Sequence, residues 1–115
     1  MTEQGEIQIF KALDFIRDNA AAYAKAKAER VYLEEWRKSK KALCMQVALA
    51  RGVEAANAQE REAYADPEYQ DVLKALKAAV EEEERLRWLM IGAQAKVSVW
   101  QTIEATRRIE MKAIP

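Results

Sequence analysis

The segment EEWRKSKKAL, residues 34–43, gathers Arg37, Lys38, Lys40 and Lys41 around Trp36, directly after Glu34 and Glu35. Cationic side chains beside an exposed aromatic ring can hold nucleic-acid phosphates by charge while a base stacks on the ring. The same residues on a helix can instead be half of a salt-bridged surface. Glu34 stands four positions before Lys38 and attracts it, whereas Arg37 stands four before Lys41 and repels it. If two long helices fold back on each other with the tip between Ala50 and Pro67, equal rise along antiparallel helices makes facing residue numbers sum to roughly 117. The basic run then lies level with Leu76 to Val80, one turn from the acidic run Glu81 to Glu84, so a partly neutralised surface is the expected state and Trp36 is expected in the core. A second basic candidate, Arg107 and Arg108 with Lys112, sits where a helix C-terminus favours cations through its dipole. Both clusters are retained as candidate contacts for nucleic acid or a protein partner.

Other chemistry is thinly represented. The chain has no histidine, which removes the commonest general acid/base and the commonest metal ligand. Its one cysteine, Cys44, lies in ALCMQVAL and reads as a buried thiol. Glu81 and Glu84 share a helical face, but di-metal bundles add a Glu-x-x-His pattern that cannot be built here. No Gly-rich phosphate loop, nucleophile elbow or Cys–base pair occurs. The expectation is therefore a non-enzyme with no catalytic residues, no cofactor and no metal.

The elements that must position these side chains follow from composition and punctuation. Ala, Glu, Lys, Arg and Leu dominate, with three Gly and two Pro in 115 residues, which predicts an all-α chain forming one domain. Lys plus Arg and Asp plus Glu number 19 each, so no global field draws nucleic acid or anionic membrane, and any such binding must be local. The absence of a secretory signal or long apolar span predicts a soluble, cytoplasmic protein with no membrane association. Gly52 marks a helix stop, while Asp66, Pro67 and Glu68 mark a start as N-cap, first-turn proline and dipole-favoured acid. The predicted elements are a long helix over about 5–50 with a weak point near Asp18 and Asn19, a short connecting helix over about 54–65, and a long helix over 67–111.

From Pro67 onward Tyr69, Val72, Leu76, Ala79, Glu83, Leu86, Met90, Ala93, Val97 and Trp100 alternate steps of three and four, a coiled-coil-like seam in which only Glu83 is charged. A charge there suits a register-setting pair, with Lys40 or Arg37 as the expected partner across the hairpin. Leu73, Val80, Trp88, Ile91, Ala95, Val99 and Ile103 form a second stripe beside the first. The first helix offers Phe10, Leu13, Ile16, Tyr23, Val31, Leu33, Trp36, Leu43 and Val47 as its apolar set. One partner helix covers one seam, so two seams predict a homodimer, most simply a four-helix arrangement. Its dimer and core seams are drawn from Leu86, Trp88, Met90, Ile91, Val97, Val99, Trp100 and Ile103.

The stretches KALDFIRDNAAAYAKAKAERVYLEEWRKSKKAL, ANAQEREAYADPEYQDVLKALKAAVEEEE and AQAKVSVWQTIEATRR, and most specifically QEREAYADPEY and VWQTIEATRR, resemble a family of small uncharacterised proteins of tailed bacteriophages and prophages. The resemblance spans nearly the whole chain. It implies a setting in the early region, beside recombination or replication genes, and carries no catalytic residues to transfer. Two functions compete: a helical dimer that engages a recombination or replication protein or a host nuclease or defence factor, and a DNA-binding accessory using Arg37 to Lys41. Neutral net charge favours the first. A virion assembly or scaffolding role suits a long helical dimer as well.

Overall fold

A computed structural model describes residues 3–114. Three helices follow one another: α1, Glu3–Ala50; α2, Ala56–Ala65; and α3, Pro67–Ala113. Segments of α1 and α3 pack together within each of two compact units, and the described residues form no strand. α1 contains no proline and carries Glu3 and Glu6 in its first turn, where the dipole favours acids. It runs without interruption through the expected weak point. Asn19 is satisfied within the helix, its Nδ2 donating to the Phe15 carbonyl at 2.9 Å, so the polar side chain does not open the backbone.

The chain divides into two compact units, one of Ala24–Glu83 and one joining the two ends, up to Tyr23 and from Glu84. In the Ala24–Glu83 unit the end of α1 is a Schellman turn. Gly52 takes φ +99°, its N–H donates to the Leu49 carbonyl at 3.0 Å, and the Val53 N–H reaches the Ala48 carbonyl at 3.1 Å. α2 begins at Ala56, two residues later than the composition suggested, after an extended Ala55 that makes no side-chain cap. Gln59 ties the helix to the turn before it, its Nε2 donating to the Val53 and Glu54 carbonyls at 2.9 and 3.2 Å. α3 starts as its sequence dictates, with Asp66 Oδ1 accepting the Glu68 N–H at 2.8 Å.

α2 crosses the end of this unit. Its Ala63 is completely enclosed and joins Cys44 and Tyr69 in a core cluster flanked by Met45 and Leu73. The register differs from the expected one. Arg30 of α1 faces Glu83 of α3 and Cys44 packs with Tyr69, a residue sum of 113 rather than 117, while the long Lys40 side chain reaches along α3 to Glu68. With that pairing Pro67 lies level with residue 46, so α1 overhangs the start of α3 by about one turn and α2 folds over the overhang.

In the unit built from the two ends, Ile9 and Ala12 of α1 and Leu86, Met90 and Ala93 of α3 are buried. Along α3, all ten positions of the predicted heptad, Tyr69 through Trp100, are buried or half-buried. The inner line of α1 is different from the apolar set named for it. It runs through Ile9, Ala12, Ile16, Asn19, Tyr23, Ala26, Arg30, Leu33, Arg37, Lys40 and Cys44, each buried or half-buried, in steps of three and four. Ile16, Tyr23 and Leu33 belong to both sets. Phe10, Leu13, Val31, Leu43 and Val47 are exposed instead, since they lie off the line that the α3 register selects.

Candidate interaction surfaces

The basic run lies in the Ala24–Glu83 unit, and the geometry commits most of it. Lys38 Nζ meets Glu35 Oε1 at 3.2 Å on the same helix face, Lys40 Nζ meets Glu68 Oε2 at 2.7 Å on α3, and Lys41 Nζ meets Glu60 Oε1 at 2.8 Å on α2. Tyr64 completes the last site: its hydroxyl lies 3.2 Å from the same Glu60 oxygen, and Lys41 sits 4.6 Å above its ring. The hydrogen bond from Lys41, then that from Tyr64, holds the Glu60 carboxyl below its ordinary range. Hydrogen bonding to Glu60 and to Glu68 in turn raises the Lys41 and Lys40 ammonium groups, so both stay charged.

Arg37 is the cation of the run with no carboxylate partner among the described residues, and its Nε is buried without an acceptor. Arg37, Lys38, Lys41, Tyr64 and Tyr69 border a hollow of about 130 Å³. Trp36 is 36% exposed rather than enclosed in the core, and stands at the edge of the unit with Leu43 and Val47. The surface is therefore a salt-bridged helix face with one unpaired guanidinium, and three of its four cations already hold carboxylates.

The seam charge is also resolved. Glu83, 7% exposed, receives both Arg30 Nε at 2.6 Å and Arg30 Nη2 at 3.0 Å, a bidentate pair that Glu34 extends by accepting Arg30 Nη1 at 3.0 Å. Neither Lys40 nor Arg37, the partners expected from the sequence, takes that role. The corrected register brings Arg30 level with Glu83, and Lys40 reaches along α3 to Glu68 instead. Cys44 is buried, and loss of solvent raises its thiol above the ordinary value, which suits a packing role.

The unit built from the two ends holds the predicted dimer and core positions. Of the predicted dimer and core positions, Leu86 and Met90 are buried and Val97 and Trp100 half-buried, so the chain covers this seam itself. Trp88, Ile91, Val99 and Ile103 remain open, with Trp88 60% and Val99 58% exposed. Trp88 is tethered all the same: its Nε1 donates to Glu84 Oε2 at 3.0 Å and Arg87 stacks 4.8 Å from its ring. Beside this stripe, two hollows of about 350 and 490 Å³ share Gln8 and Lys96 and so form one groove. Phe15, Leu89, Gly92, Val99 and Ile103 line it, and its charged members are Lys11 and Lys96. Trp100 also borders it, with an indole Nε1 that is buried and has no acceptor among the described residues.

In the tail, Arg107 lies 3.7 Å from Glu104 and Arg108 Nε donates to the Glu104 carbonyl at 3.4 Å, so both serve the last turns of α3. Among the described residues no three His, Cys, Asp or Glu side chains form a metal-holding group, and no helix is long and apolar enough to cross a membrane. The groove escaped sequence reasoning because Gln8, Lys11 and Phe15 join it only through the α1 register, which heptad stepping from Ile9 would have exposed. Compared with protein-family models, with curated proteins and with solved structures, the chain matches none.

Proposed function

We propose that this protein is a non-enzymatic helical interaction module that works as a homodimer and recruits a protein partner. The observation that supports this reading is the line of large apolar side chains on α3, Trp88, Ile91, Val99 and Ile103, left open beside a groove that is itself apolar. Contiguous exposed apolar surface of this kind marks a protein–protein contact. The motif resemblance supplies the biological setting: an accessory of phage DNA recombination or replication, or an antagonist of a host nuclease or defence factor, working in the host cytoplasm. The direct test is sedimentation velocity at micromolar concentration, where a dimer is expected and a cooperatively folded monomer overturns the reading. Affinity capture from infected or lysogenic cells after nuclease treatment then identifies the partner; a signal that vanishes with nuclease points to nucleic acid instead.

A further inference from the structure

The groove between α1 and α3, in the unit built from the two chain ends, has an apolar floor and a basic edge. Lys11 and Lys96 stand exposed at it, and neither has a carboxylate partner among the described residues. The complementary surface occurs in the same unit. Glu3, Ile7, Phe10 and Asp14 recur on α1 at steps of four, three and four, so they share one helical face, and Glu6 flanks it. Ile7 is 47% exposed and Phe10 64%, while Glu3 and Glu6 are exposed with no cation partner among the described residues. Asp14 is already held by Arg17 at 3.4 Å.

We propose that a second copy of this chain seats the Ile7–Phe10 face of its α1 in this groove, with its Glu3 and Glu6 carboxylates toward Lys11 and Lys96. The inference rests on the dimer reading and adds which surfaces meet. Under two-fold symmetry each copy gives one stripe and one groove, so the contact is made twice and closes. Two copies of the groove placed edge to edge would instead oppose lysine to lysine, which disfavours a groove-on-groove dimer.

The test is a charge exchange on exposed positions. K11E/K96E and E3K/E6K are each expected to weaken dimerisation by at least about tenfold in sedimentation, because each replaces attraction by repulsion in both copies of the contact. An equimolar mixture of the two variants regains wild-type dimerisation, since both grooves in the mixed pair then face an opposite charge. A single chain carrying all four reversals does the same. Far-UV circular dichroism of each variant at the concentration used checks that the helices persist. Variants that dimerise like the wild type, or a mixture and a four-reversal chain that stay monomeric, overturn this docking. A wild-type monomer overturns the dimer reading itself, so the two failures are distinct.

Discussion

The Arg30–Glu83 pair is the residue-level feature with the clearest energetic consequence. The carboxylate is almost out of solvent and accepts two hydrogen bonds from one guanidinium. Removing Glu83 alone leaves Arg30 Nε and Nη2 without their acceptors at the seam while Glu34 still holds Nη1, and we expect Glu83→Ala to lower unfolding stability by about 2 kcal/mol. Exchanging both residues together for leucine or methionine should restore most of the loss, because an apolar pair suits a coiled-coil seam as well. Urea denaturation of the three proteins checks both statements. Glu60 sets a pH dependence of known sign: its carboxyl is held below the ordinary 4.5, chiefly by the hydrogen bond from Lys41. Its contribution is therefore complete above that ordinary value and is lost as pH falls through the lowered one. Wild type and Glu60→Gln should differ in urea midpoint at pH 7 and converge as pH falls below the lowered value of the Glu60 carboxyl. Glu83 was legible as the odd charge in an apolar heptad. Its partner was not, since choosing among Arg30, Arg37 and Lys40 requires a register that a sixteen-residue connection leaves free within a turn.

At the scale of elements, the two helical stops and the α3 seam could be read from the chain because each has a local physical cause. Asp66, Pro67 and Glu68 satisfy a helix start by themselves, and Gly52 supplies the left-handed backbone that ends α1. The α1 seam was obscured because Asn19, Arg30, Arg37 and Lys40 occupy inward positions while Phe10, Leu13 and Leu43 lie outside. Hydrophobic periodicity alone favours the wrong stripe when seam positions are filled by alanines and by the stems of long cations. Two glycines give opposite predictions. A Cβ at Gly52 would meet nothing within 4 Å, yet φ +99° disfavours any L side chain, so Gly52→Ala should destabilise by about 1–2 kcal/mol through the backbone alone. Gly92 lies within α3 with equally open space, and Gly92→Ala should stabilise the helix by up to about 1 kcal/mol. Thermal unfolding followed by circular dichroism measures both.

For the molecule as a whole, equal numbers of acids and bases combine with local pairing of Lys38, Lys40 and Lys41 to leave little charge for a polyanion. Retention on single- or double-stranded DNA at about 50 mM salt is therefore expected to be negligible. Binding that falls steeply with salt, with a slope reduced by about one unit per contact on Lys38→Ala or Lys41→Ala, would revive the nucleic-acid alternative. An excess of apolar stripe over the cover one chain provides was legible in the sequence; which positions stay exposed was not, since that depends on which α1 side chains the α3 register turns outward.

Arg30 and Glu83 belong to different long helices joined through α2, so nothing in their bond requires both ends to come from one molecule. Two chains that traded α3 would rebuild the same contact from exchanged arms. Substitutions that stiffen the stretch between Gly52 and Asp66 into continuous helix would keep α3 from folding back on its own α1 and are expected to favour the exchanged form, read as a dimer in sedimentation.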